Sequence, residues 1–289
     1  NIYVVHQAKS VGTIDPPAVE TVAKQFNGGV VFNEDSADLD FRVESNGNAN
    51  AIFVNGGEDT VGIGNSNAHS FADNADNLVV GTGSGHNGVT IYSDGSSSGS
   101  LFFANGTSGA QVQQGQIVYE QNNSTMILKT AANTAISIDG NGHVTKPLQP
   151  AFMANKSASG QTPSASTAVT VVFENEVFDN NADYNTTNST FTAPVTGRYW
   201  FHSRIRADEV GGGTGIYSIR LVASNRTIHN TQVDLSDYLD GTMNRMSFEV
   251  SGLLDMDASD TCKVQVFEDS GYEIEDEVEE TFFMGYLVC

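Results

Sequence analysis

The residues able to do chemistry in this chain are mostly acidic. The run GYEIEDEVEE, Gly271 to Glu280, gathers carboxylates between two candidate strands near the C terminus. Hard cations such as calcium take about six to eight oxygen ligands, so Glu275, Asp276 and Glu277 are candidate metal ligands and calcium is the candidate ion. The plainer reading of the same run is a solvated loop. Tyr272, Glu273 and Glu275 are also candidate receptor contacts, together with Gly213 in the loop Gly211-Gly212-Gly213-Thr214-Gly215. Loops on a rigid scaffold are where binding residues concentrate.

Other chemistries find little support. Acid pairs such as Asp38 with Asp40 or Asp255 with Asp257 are expected among 35 Asp and Glu, and glycoside cleavage needs two carboxyls about 5 to 10 Å apart in a sugar cleft. The six His (His6, His69, His86, His143, His202, His229) show no zinc spacing. Gly81-Thr82-Gly83-Ser84-Gly85 lacks the Lys of a phosphate loop, and no Gly-x-Ser-x-Gly elbow occurs. The expectation is a non-enzyme without catalytic residues. A net charge of -22 argues against binding nucleic acid or an anionic membrane. No apolar run approaches the ~20 residues of a membrane span. Cys262 and Cys289 leave open one disulfide or two free thiols. The chain begins without Met, so what precedes Asn1 is open. Six Asn-x-Ser/Thr sequons, at Asn105, Asn122, Asn123, Asn185, Asn188 and Asn225, are expected from composition.

The elements that must carry these residues are nearly all strands. Asp15 can cap and Pro16 can start one short helix over 15–26, with Ala18, Val19, Val22, Ala23 and Phe26 as its apolar stripe; a first strand is expected at Ile2–Val5. From Val30 to Gln149, β-prone triplets recur between Gly, Asn, Asp and Ser: Phe41–Val43, Ile52–Val54, Val61–Ile63, Leu78–Val80, Val89–Ile91, Leu101–Phe103, Ile117–Tyr119, Met126–Leu128, Ile136–Ile138 and Val144. Asp40–Gly64 and Thr125–Pro147 share one order of strands and turns, which reads as a duplicated unit. Between Gly81 and Gly115 large apolar groups are too sparse for a one-chain core. These strands are therefore expected to pack against copies of themselves in a trimeric β-structured fibre shaft, the alternative for 81–115 being a Gly/Ser linker. The Pro pair at Pro147 and Pro150 marks a boundary. The expected organisation is an N-terminal segment, 1–29, a β-shaft, 30–149, and a globular head, 150–289.

Head strands are expected at Ala151–Met153, Ala168–Phe173, Tyr217–Val222, Arg226–Asn230, Asn244–Gly252, Cys262–Phe267 and Thr281–Val288. Between the second and third lies a specific spacing: Phe173, then Asp179, Tyr184, Phe191, Gly197, Tyr199 and Phe201, with Ser203 where a further aromatic would fall. Arg198 to Ile205 alternates with period two, placing Tyr199, Phe201, Ser203 and Ile205 on one face and Trp200, His202 and Arg204 on the other. The spacing resembles the signature of the complement component 1q globular head, a tumour-necrosis-factor-like jelly roll. The resemblance implies a ten-strand jelly-roll head; with the shaft and helix read above, the expected fold is all-β, a trimeric β-structured fibre shaft followed by that head, with one short N-terminal helix. Because the shaft strands need copies to pack against, the expected assembly is a homotrimer, with Trp200, His202, Arg204 and Phe283 as trimer contacts. Phrases of the shaft (VVFNEDSADLDFRVESNGN, FVNGGEDTVGIG, LFFANGTSGA, SIDGNGHVTKPLQPAF) resemble tail fibres and related structural proteins of tailed bacteriophages. That resemblance implies an extracellular virion protein partnered by other tail proteins and by a host glycan or outer-membrane receptor, with no membrane insertion. The alternatives are a capsid or tail decoration fibre and a secreted lectin-like adhesion protein.

Overall fold

The computed structural model describes residues 37–210, 215–234, 243–269 and 271–289. The expected helix over 15–26, the strand at Ile2–Val5 and the candidate contact Gly213 lie outside them. Two compact units divide at Thr90 and Ile91.

The first unit holds β1 (Phe41–Ser45), β2 (Asn48–Asn55), β3 (Thr60–Ile63) and β4 (Leu78–Val80) in sequential order. The first three form an antiparallel meander, and β4 pairs parallel to β3 after a crossover containing a single helical turn at Ala68–Ser70. Its many Asn have a physical use, because a short amide side chain can bond nearby backbone in place of a ladder partner. Asn55 Oδ1 accepts from the N–H groups of Gly57 and Glu58, Asn48 Nδ2 donates to the Gly64 carbonyl, and Asn65 Nδ2 donates to that of Gly81.

The second unit opens with another meander, β5 (Ser98–Phe103), β6 (Gly115–Glu120), β7 (Thr125–Thr130), β8 (Asn133–Ile138) and β9 (Val144–Thr145), all antiparallel. The internally similar sequences fold alike: β1–β3 and β7–β9 are both three-strand meanders with a register shift in the first pairing. The strand expected at Val89–Ile91 does not form. Both residues stay exposed behind a Gly-rich stretch, without a ladder partner among the described residues.

After the Pro147–Pro150 connector the head begins: β10 (Ala151–Asn155), β11 (Val169–Thr170), β12 (Asn175–Asp179), β13 (Tyr184–Asn185), β14 (Thr190–Thr192), β15 (Gly197–Val210), β16 (Ile216–Ala223), β17 (Thr227–Asp234), β18 (Met243–Met256), β19 (Thr261–Phe267), β20 (Glu273–Ile274) and β21 (Phe282–Leu287). One sheet runs β12-β10-β21-β15-β18, with β20 beside β15; the other runs β13-β14-β19-β16-β17, with β11 beside β19. This is a two-sheet jelly roll. Among the described residues it has twelve strands against the ten expected, and three of them, β11, β13 and β20, are ladders of only two residues.

The core lies between the two head sheets. Phe152, Phe173, Phe191, Tyr199, Phe201 and Phe283 are fully enclosed there, with Phe152 stacked on Tyr184 at 4.7 Å and on Phe191 at 5.1 Å. Such ring pairs add about 0.5–1.5 kcal/mol each beyond the area they bury.

Candidate functional site

Each position of the aromatic spacing has a mechanical role. Asp179 accepts from the N–H of Asn181 and Tyr184, closing the turn after β12. The Tyr184 hydroxyl donates to the Phe173 carbonyl, joining two signature positions across 11 residues. Gly197 is required by closeness: a Cβ there would lie 2.7 Å from Leu287 Cδ1 and 2.8 Å from the Cys289 carbonyl oxygen. Tyr199 spans the following turn by donating to the Val195 carbonyl at 2.7 Å. Ser203, in place of an aromatic, is buried without a loose polar group, since its hydroxyl donates to the Phe282 carbonyl at 2.9 Å.

With Tyr199, Phe201 and Ser203 turned inward, the alternate residues of β15 face outward. Trp200, His202 and Arg204 stand on this face and are joined by residues of the neighbouring strands. Trp200 pairs with Tyr286 and Leu253, His202 with Met284 and Ser251, and Arg204 with Phe282 and Glu249. Ring centroids separate Tyr286 from Trp200 by 5.6 Å, Trp200 from His202 by 5.8 Å and His202 from Phe282 by 5.5 Å. The result is a continuous aromatic strip, flanked by half-exposed Leu253 and Phe178 and bounded by Arg204, whose Nη2 donates to Ser247 and whose Nε lies 3.7 Å from Glu249.

Two expected contacts are corrected. Phe283 does not face a subunit contact: it is enclosed in the protomer's core, 5.8 Å from Phe201. The outward residues of β21 have the other parity, Phe282, Met284 and Tyr286. Gly285, which shares the inward parity, marks it, because a side chain there would fall on the Phe201 ring. Tyr272 is likewise core, packed 5.8 Å from Tyr217 and 6.2 Å from Phe248, and so is not available to a receptor.

The acidic run is organised by a cation rather than around an ion. Arg206 sits in a buried side-chain environment, donates through Nε and Nη2 to both oxygens of Asp208, and reaches Glu277 at 3.4 Å and Glu280 at 3.3 Å. Among the described residues no three His, Cys, Asp or Glu are placed to hold a metal ion. Glu275, Asp276 and Glu277 are thus not gathered into a metal-binding group within the single chain. Burial, and then the neighbouring Asp208 charge, raise the Glu275 carboxyl above its ordinary value, with Arg206 opposing them. Glu273 and Glu275 remain partly exposed, and the Glu273 carboxylate occupies the space a side chain at Gly160 would need. Cys262 and Cys289 are unbonded, and burial pushes the Cys262 thiol up.

Two open clefts of about 470 and 580 Å³ flank the connector that leads into the head. Their amides are already committed. Asn180 Nδ2 donates to the Gln149 carbonyl, Asn181 Nδ2 to that of Leu148, and Gln149 Nε2 to that of Leu287. These three bonds latch the connector to the head.

Residues 151–288 match the family model described as the C1q domain, so this stretch is a C1q/TNF-like jelly-roll domain. Such domains typically form homotrimers, are typically extracellular and generally non-enzymatic, and often belong to trimeric adhesion or ligand-binding proteins. Among solved structures, the globular domain of zebrafish complement 1qA is 15% identical, the match covering 49% of this chain and 98% of that one at a TM-score of 0.34. Eiger TNF from S. frugiperda is 12% identical, covering 49% and 94% at 0.38. Murine APRIL is 11% identical, covering 48% and 99% at 0.36. Scores this low add nothing to the family match. No curated protein matches the chain. Among the described residues no helix is long and apolar enough to cross a membrane.

Proposed function

We propose that this chain is a homotrimeric attachment fibre, a bacteriophage tail fibre whose C-terminal head binds the host surface and whose residues 30–149 form the shaft. The observation that carries the trimer is the outward face of β15 and β21, where Tyr286, Trp200, His202 and Phe282 form one aromatic strip beside Leu253 and Phe178. Contiguous apolar surface of this kind is usually covered by protein, and three copies related by a threefold axis cover one another's faces. The virion setting is supported by the phage-like phrases of the shaft.

The mechanism is binding. Three heads on one fibre turn weak contacts with a surface glycan or outer-membrane receptor into avidity by raising effective concentration. Glu273 and Glu275, on the rim rather than on the aromatic strip, remain candidate receptor contacts. The first test is mass in solution: light scattering is expected to give three chains per particle, and a monomer overturns the reading. The second is competition, in which purified chain is expected to block phage adsorption. Undiminished adsorption assigns the chain instead to a decoration fibre of capsid or tail.

A further inference from the structure

The meander β5–β9 has a face that the described residues leave open. Leu101, Ile117, Leu128 and Ile136 are cross-strand partners in one row, so their side chains share a face. Phe103 and Met126, two positions along their strands, belong to the same face. Leu101 is 51% exposed, Phe103 56% and Ile117 40%. The only two charged strand residues, Glu120 and Lys129, have the opposite parity and fall on the other face. An uncharged face dominated by Leu, Ile, Met and Phe offers an ion nothing to bind and fits another apolar face.

We infer that this face is the core of a three-sided β-prism, packed against the same face of two further copies of the chain. The inference rests on the trimer reading above and adds which surface closes the shaft. Its geometry follows from strand spacing. Five strands about 4.8 Å apart make a sheet ~19 Å wide. Three such sheets closing a triangle lie roughly 5–6 Å from the axis, half of the ~10 Å at which sheets pack face to face. Leu, Ile and Phe side chains therefore fill the prism without leaving a channel. Continuity with the head supplies the threefold arrangement, because the connector that leaves β9 is held to the head by Asn180, Asn181 and Gln149. The meander is thus carried to the axis by the same domain that bears the aromatic strip.

The test uses the full chain with Cys289→Ser, Cys262 being buried. A cysteine at Leu128, on the central strand of the proposed inner face, is compared with one at Lys129, on the outer face, under a short bis-maleimide. Leu128→Cys is expected to give at least tenfold more covalent dimer. Equal yields, or a preference for Lys129→Cys, in particles that still weigh three chains overturn the prism and leave the head-driven trimer standing. A monomeric mass overturns both. Ile117→Lys gives an independent reading by hydrogen exchange. The trimer is expected to survive through its heads while amides of β6 and β7 lose protection, and unchanged protection in those strands overturns the inference.

Discussion

The head and the meander before it are built from the same residue types, yet they bury them differently. In the head, Phe191, Tyr199 and Phe201 project from two sheets into one space and are fully enclosed. In β5–β9, Leu101, Phe103 and Ile117 project from one sheet and stay half in water. Period-two alternation is present in both. What differs is the second layer: a 14-residue strand such as β15 pairs with β18 across 13 registered positions and packs on an opposing sheet, whereas strands of six residues here form a single sheet. The other face of this sheet buries Val118 and Ile127, but the face bearing Leu101, Phe103 and Ile117 stays in water until another surface covers it.

The largest effect expected from this contrast is at Phe201. Phe201→Ala empties a site bounded by Phe152, Phe191 and Phe283, at a cost of about 3–5 kcal/mol. Phe103→Ala on the meander is expected to cost under ~1 kcal/mol in a dissociated chain, because the ring is already half hydrated. Trp200, the only Trp, reports head unfolding by fluorescence in urea. Similar losses for the two substitutions would break the comparison.

Next in size is Gly285→Ala. Its Cβ would fall on the Phe201 ring and 3.1 Å from the Trp200 carbonyl oxygen, and overpacking of this kind costs about 1–3 kcal/mol. The same change at Gly142 of the meander meets open space, although its φ of 85° adds strain. Thermal melts of the two variants separate a packing cost from a backbone cost.

A smaller effect concerns pH. Glu174 is partly buried, which alone would raise its carboxyl; that is outweighed by the backbone N–H groups of Ser157 and Ala158 donating to it, assisted by Lys156 at 3.8 Å, so the group lies below its ordinary value. A depressed carboxyl contributes stability above the ordinary glutamate value, about 4.3, and that contribution is lost as pH falls through the lowered folded value. Glu174→Gln is expected to cost about 1 kcal/mol at pH 7 and to flatten the acid limb of head stability. An unchanged acid limb in urea titrations would show that this loop does not contribute to holding the head together.

Much of the head was legible because its spacing encodes contacts within one chain. Phe173, Tyr184, Phe191, Tyr199 and Phe201 are all core, and β16, β19 and β21 match the expected strands to within a residue at each end. By contrast, β15 runs to Val210, past the expected end at Ile205, and β12 was not foreseen. The parity of β21 was not legible: Phe282 and Phe283 are adjacent aromatics, and only the closeness of Gly285 to Phe201 decides which turns inward. Tyr272 was misread because a tyrosine inside an acidic run has the composition of a loop, while the fold returns it to the core beside Tyr217. The acidic run itself suggested an ion, since nothing in its own sequence points to Arg206, 65 residues before its first residue. In the meander the strands were legible, but the failure at Val89–Ile91 was not, because a triplet needs a ladder partner that local sequence does not specify.

The smallest effect sharpens what distinguishes the meander. Its β7–β8 turn places Ala131 at φ 47° and Ala132 at φ 65°, both in the left-handed region, where an L-residue costs roughly 1–2 kcal/mol. Two-residue hairpins whose strands keep their twist require this conformation, and they favour Asn or Gly in it. Ala132→Gly relieves the strain but enlarges the freedom of the unfolded chain, so the net gain is expected to be under ~1 kcal/mol. Hydrogen exchange at the β7 and β8 amides measures it directly. Higher protection in those strands, with head unfolding unchanged, would mean that the meander is held in part by a turn it strains to make, and that its stability is set separately from the head's core. A gain shared equally by head and meander would instead make the two regions one cooperative unit.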